Sequence, residues 1–133
     1  MSQQNLETLR RLNEACNRRD IDDAVQYLDP EVELHPGIQV PDEGSRYLGR
    51  DGLTEWFRSA TEPWEMIRVE HRELIDPPGD RVLAVERWVF RGRDGIELEL
   101  ELPNMYTFRD GLIVRIDGFT DRAKALETIG VRE

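Results

Sequence analysis

The stretch Ile96-Glu-Leu-Glu-Leu-Glu-Leu-Pro-Asn-Met-Tyr-Thr-Phe-Arg-Asp-Gly-Leu-Ile-Val-Arg-Ile-Asp-Gly-Phe119 decides the fold. From Ile96 to Leu102 apolar and acidic residues alternate, so Leu98, Leu100 and Leu102 share one sheet face and Glu97, Glu99 and Glu101 the other. The strand runs on through Asn104, Tyr106 and Phe108 to Asp110-Gly111, a pair suited to a two-residue hairpin turn with positive φ at both positions. A turn of that length sets Arg109 opposite Leu112, Phe108 opposite Ile113, Tyr106 opposite Arg115 and Asn104 opposite Asp117. On this register the leucine face changes halfway along to Asn104, Tyr106, Arg115 and Asp117. A carboxylate aimed at an apolar wall, with an amide beside it, is the setting of a general acid or base.

Upstream of the hairpin, Arg81 to Arg91 and Glu65 to Asp76 alternate as two further strands, separated by Pro77-Pro78-Gly79-Asp80 and by Gly92-Arg93-Asp94-Gly95. Four consecutive antiparallel strands result. Helices precede them. Leu6, Leu9, Leu12 and Cys16 recur at helical spacing over residues 5 to 18, and Asp20 caps a second helix with Ile21, Ala24, Val25 and Leu28 inward, stopped at Asp29-Pro30. Glu31 to His35 is a short strand, residues 36 to 49 read as a loop, and Asp51 starts a third helix with Leu53, Trp56, Phe57 and Ala60 on its buried side. Thr120 or Asp121 caps a closing helix with Ala123, Leu126 and Ile129 inward. Helices followed by a meander make an α+β fold, a single domain over residues 1 to 133, with helices on one face of a strongly curved sheet and room for a small molecule beneath them.

Composition narrows the function classes. The formal charge of −10, from 28 acidic and 18 basic residues, would repel both nucleic acid and an anionic membrane. The one cysteine, Cys16, forms no internal disulfide and fits a reducing cytoplasm, and no apolar run reaches membrane-spanning length. Two histidines without metal-ligand spacing call for no metal, and no serine-hydrolase elbow, phosphate loop or dinucleotide fingerprint is present. No cofactor is expected.

The strings YLDPEVELHPG (27–37), YLGRDGLTEWF (47–57), PPGDRVLAVERWVF (77–90) and YTFRDGLIVRIDGFTDRAKALETIGV (106–131) resemble the SnoaL-like polyketide cyclase branch of the nuclear transport factor 2-like superfamily. That superfamily also holds ketosteroid isomerases, limonene epoxide hydrolases and scytalone dehydratases. The resemblance implies a cone-shaped α+β barrel, often a homodimer through the outer sheet face, with a water-poor pocket and no cofactor. Position by position, His35 resembles the general-base aspartate of the isomerases, and Asp117 the acid/base aspartate of the cyclases. Arg87 resembles the catalytic arginine of the epoxide hydrolases, but Val89 stands where their aspartate belongs.

These lines give one set of expectations. Asp117 and His35 exchange the proton, while Asn104 orients the acid and Tyr106 or Arg115 steadies a developing oxyanion. Tyr47, Trp56, Phe57 and Trp64, with Leu100 and Leu102, line a pocket for a small apolar or aromatic molecule. Arg87 joins the leucine face if a four-residue turn sets Arg91 opposite Ile96; a slip of one residue puts it outside. His71 reads as a core or edge histidine. Glu86, Trp88 and Phe90 then fall on the outer face beside the acidic row, a partly apolar surface that a second copy would cover. The activity expected is that of a cyclase, isomerase or dehydratase, and the rival is a binding or assembly module without chemistry. Asp117 locked in a buried bidentate pair with Arg115, and His35 pointing to solvent, would favour the rival. Both pointing into one cavity of roughly 300 Å³ or more would favour the enzyme.

Overall fold

A computed structural model describes residues 2–37 and 46–130. The element order is α1 (Gln3–Asn17), α2 (Ile21–Ala24), a 3₁₀ turn (Val25–Tyr27), β1 (Leu28–His35), β2 (Tyr47–Leu48), α3 (Gly49–Thr61), β3 (Met66–Ile75), β4 (Arg81–Arg91), β5 (Glu97–Arg109), β6 (Leu112–Gly118) and α4 (Arg122–Thr128). The six strands form one sheet in the order β2-β1-β6-β5-β4-β3. All neighbours are antiparallel except β1 and β6, which run parallel. The expected loop segment 38–45 lies outside the described residues.

Helix α1 starts where the Ser2 hydroxyl accepts the Asn5 amide at 3.0 Å. Its inner face carries Leu9, Leu12 and Ala15, joined by two polar residues rather than by Leu6. Asn5 donates to Asp80 at 2.6 Å and Thr8 to the Gly111 carbonyl at 2.8 Å, so both sheet turns at this end are tied to the helix. The second helix is shorter than the sequence suggests. It gives way to the 3₁₀ turn at Val25, and Leu28, expected on the helix, opens β1 and is buried. Pro30 sits inside that strand.

Two odd residues set the faces of the sheet. At the β5–β6 turn Asp110 and Gly111 take φ of 54° and 79°, and Arg109 faces Leu112 as expected. Then Phe108 pairs with Ile113 but Thr107 with Arg115, so Val114 is an extra residue, a β-bulge. Beyond it Tyr106 faces Ile116 and Asn104 faces Gly118, which corrects the expected pairs with Arg115 and Asp117. The side chains of Arg115 and Asp117 therefore belong to the convex face. Between β4 and β5 the connection is five residues long, closed by Gly92 N–H to the Ile96 carbonyl at 2.9 Å, with Gly95 at φ 84°. Arg91 pairs with Glu97 and Arg87 with Glu101, not Leu100.

That slip turns Glu86, Trp88 and Phe90 inward and Arg87 outward, reversing the expected assignment. The apolar patch on which a second copy was expected to rest is thus an inner wall. The convex face beside it carries an ion-pair lattice, in which Arg87 Nη2 donates to Glu99 at 2.9 Å and Arg87 Nη1 lies 3.4 Å from Glu70.

The concave face packs on α1 and α3 through Leu9, Leu53, Val82, Phe108 and Ile113. Burying such a side chain fully contributes about 1.5–3 kcal/mol. Helix α4, capped by Asp121 on the Lys124 amide, covers the other face with Ala125, Leu126 and Ile129 against Leu83 and Met105. Ala125, not Ala123, is the inward alanine, and Ala123 is exposed. At the end of β6 two chain segments cross at contact distance: a Cβ on Gly118 would lie 2.3 Å from the Gly37 nitrogen and 3.0 Å from Asn104 Oδ1. Gly118→Ala is expected to lose about 1–3 kcal/mol of stability, because the obstruction is backbone. Urea unfolding of the variant measures it.

Candidate functional site

Between the helices and the concave sheet lies a cavity of about 230 Å³. Its walls are almost wholly apolar: Leu12 from α1, Leu53, Trp56 and Phe57 from α3, Leu34 from β1, Ile116 from β6. Strands β4 and β5 add Trp88, Phe90, Leu100 and Leu102. Trp56 meets Trp88 edge-on, ring centroids 6.3 Å apart at 78°, and Trp88 stacks on Phe90 at 5.7 Å.

One carboxylate interrupts this wall. Glu86, 1% exposed, projects from β4. Its Oε1 accepts from Asn104 Nδ2 at 2.7 Å and from Trp88 Nε1 at 3.0 Å; its Oε2 accepts from the Tyr106 hydroxyl and lies 3.3 Å from His71 Nε2. Three donated hydrogen bonds thus reach one carboxylate, with the His71 ring in contact beside them. They reach it because β3, β4 and β5 run side by side, with His71 paired to Glu86 and Asn104 to Ala84 two residues along.

Burial and the neighbouring Glu86 carboxylate push the Tyr106 hydroxyl well above the usual phenol range, so it stays protonated. Cys16, across the cavity on α1, is pushed up to about 12 by burial and then by Glu86. Its accessible surface opens onto the cavity.

The structure brings together Asn104, Tyr106, Trp56, Phe57, Leu100 and Leu102 of the expected residues. The other six lie elsewhere. Asp117 is held by Arg115, whose Nε donates to both carboxylate oxygens at 3.0 and 2.9 Å, on the convex face. His35 Nε2 lies 3.2 Å from Glu33 and does not line the cavity. Arg87 is in the outer lattice, as described above. Trp64 packs behind Phe90 at 5.2 Å, and Tyr47 packs against the core from β2; neither reaches the cavity.

Glu86 and His71 were missed as site residues, and one signal pointed to them. The leucine row of β5 meets an apolar row on β4 only if Trp88 and Phe90 share its face, which carries Glu86 inward with them. Among the described residues no group of three or more histidine, cysteine, aspartate or glutamate side chains is arranged to hold a metal.

A family model for the SnoaL-like domain matches residues 9–116. The chain belongs to the SnoaL-like family. Among solved structures, TerC co-crystallised with polyporic acid aligns at TM-score 0.76 with 26% identity, covering 96% of this chain and 98% of that one. RV0760c from Mycobacterium tuberculosis in complex with estradiol-17beta-hemisuccinate aligns at 0.77 with 14% identity over 92% and 97%. The Delta 5-3-ketosteroid isomerase from Mycobacterium sp. aligns at 0.75 with 13% identity over 90% and 95%. The last two show the fold alone. No match was found among curated proteins. The cone-shaped α+β fold of this SnoaL-like domain is therefore that of nuclear transport factor 2-like proteins, its sheet curved but not closed. Among the described residues no helix is long and apolar enough to cross a membrane.

The raised pKa values carry a sign. A thiol shifted from 9.0 to about 12 on folding contributes stability that is complete below pH 9 and lost as the pH rises towards 12. The shift of Tyr106 acts in the same direction. Urea unfolding should show stability falling from pH 8.5 to 10.5, less steeply in Cys16→Ala. At pH 8 the native thiol should react with a disulfide reagent roughly a hundredfold or more slowly than after denaturation, because the thiolate is the reactive form.

Proposed function

We propose that this SnoaL-like protein is a small-molecule enzyme that works by proton transfer without a cofactor, with Glu86 as the acid and base. The observation that carries this reading is a single buried carboxylate in the wall of an apolar cavity, beside a tyrosine kept protonated. A substrate carbon next to a carbonyl gives its proton to Glu86, and the electron pair moves onto the carbonyl oxygen. Once protonated, Glu86 becomes a donor and accepts fewer hydrogen bonds. Tyr106 or Asn104 is released at that moment to turn towards the oxygen that has gained charge. Return of the proton to a different carbon is an isomerisation; attack of the enolate carbon on a second carbonyl closes a ring.

Cyclisation and isomerisation are both supported by the family, and the complex of TerC with polyporic acid supports a small-molecule ligand. The cytoplasm, consistent with one unpaired cysteine, is the proposed compartment. A homodimer is proposed on the family resemblance. It would close over the ion pairs of the convex face, and light scattering at micromolar concentration should give twice the monomer mass.

A second reading, ligand binding without chemistry, is favoured by a specific observation. Three donors already satisfy Glu86, and neither Asp117 nor His35 is in the cavity to relay a proton. Hydrogen–deuterium exchange of 2-tetralone in heavy water, followed by proton NMR, separates the two. The enzyme reading expects catalysed exchange next to the carbonyl, reduced about 10²–10⁴-fold in Glu86→Gln and less severely in Tyr106→Phe. A protein that binds the ketone without speeding its exchange is the binding module.

A further inference from the structure

Among the described residues the walls of the cavity hold one charged side chain, Glu86, and no lysine or arginine. Arg87 is held by Glu99 and Glu70, and Arg115 by Asp117, all on the convex face. His71 stands beside Glu86 but outside the lining. The carboxylate acts across the whole space, since it helps hold the Cys16 thiol on α1 and the Tyr106 hydroxyl on β5 in their protonated forms.

We infer that the cavity selects its ligand by charge, admitting an uncharged, mainly apolar molecule with one carbonyl or hydroxyl function and excluding carboxylates and other anions. The inference rests on the cavity being the ligand site, as in the proposed function, and not on Glu86 acting as a base. Apolar walls leave little water to screen a second negative charge, and at about 6 Å from Glu86 the repulsion is worth roughly a hundredfold in affinity at an effective dielectric of about 20. The net charge of −10 opposes approach of an anion as well. A neutral oxygen function is accommodated. A hydroxyl can donate to Glu86 in place of one present donor, and a carbonyl can accept from Tyr106 or Asn104. The volume of about 230 Å³ falls below the usual range for drug-sized ligands, about 300–1,000 Å³, so a two-ring molecule is the expected size.

The test pairs 2-naphthamide with 2-naphthoate, which share size and shape and differ in charge, by isothermal titration calorimetry at pH 7.5 on the full chain. The neutral amide should bind at least tenfold more tightly, with roughly a hundredfold expected. In Glu86→Gln the gap should close to within a few-fold through improved binding of naphthoate, while Glu99→Gln on the convex face leaves it unchanged. Should Glu86→Gln fail to fold, the wild-type ratio decides alone. A ratio below tenfold overturns charge selection, as does an unchanged gap in a folded Glu86→Gln protein. Failure of 2-naphthamide to bind at all overturns it too. Neither result touches the exchange assay on 2-tetralone, which tests the base separately.

Discussion

Enclosing an ionisable carboxyl group in a greasy cavity is costly unless its oxygens are hydrogen-bonded, and the structure meets that cost at Glu86 with donors from two strands and a histidine contact from a third. His71 comes from β3, Trp88 from the same strand as Glu86, Asn104 and Tyr106 from β5. Because each reaches the same two oxygens, the strands are pinned to one another at one level. A slip of either neighbour by one residue would send its donors to the convex face and leave the carboxylate bare. The β-bulges sit close to this level, Arg72 immediately after His71 and Val114 opposite the Thr107–Phe108 step. Bulges bend and twist the strand that carries them. The curvature that makes room for a cavity and the register that points a carboxylate into it therefore come from the same irregularities.

The sequence made the architecture readable because the fold depends on periodicity and punctuation, which are local. Leucine alternation in β5, Asp110-Gly111 and the proline and glycine clusters mark the meander, and the helical spacing of Leu9 and Leu12 marks α1. Register is not local. Phe108 opposite Ile113 was legible from the turn, but Val114 carries no mark that distinguishes a bulged valine from a paired one. One unseen residue was enough to move Asp117 from the cavity to the convex face. The five-residue loop at Gly92–Ile96 did the same to β4, exchanging Arg87 for Glu86. In both cases residue type was read correctly and its face was not. Asn104, Tyr106, Trp56, Phe57, Leu100 and Leu102 stayed with the cavity because their placement came from the leucine face itself or from the helical spacing of α3.

The distribution of cations follows from the same register. Arg87 and Arg115 each sit one residue from a cavity-lining side chain, Glu86 or Trp88 for the first and Ile116 for the second. Their guanidinium groups are satisfied outside by Glu99, Glu70, Asp117 and Glu33. Exposed pairs of this kind add little stability. Their consequence is elsewhere. With these arginines turned away, the described lining of the cavity carries Glu86 without a lysine or arginine beside it.

Family and fold constrain this protein unequally. Solved structures with 13–26% identity retain the cone over nine-tenths or more of their length, which is what packing of α1, α3 and α4 on a bent sheet requires. Those packing positions overlap with the polar cluster only at Tyr106 and Trp88. Leu83 and Met105 serve α4, Val82 and Ile113 serve the concave core, and exchanging Glu86, His71 or Asn104 for other residues would leave both layers in place. Chemistry can thus change while the scaffold persists, so likeness of fold carries little information about which proton moves. The informative feature is the saturation of Glu86. Hydrogen bonds from Asn104, Trp88 and Tyr106 hold the carboxylate in place, yet each is one that a ligand oxygen or a newly bound proton can displace. A site of that kind binds and, when its acceptor takes a proton, frees the donors that a developing oxyanion needs.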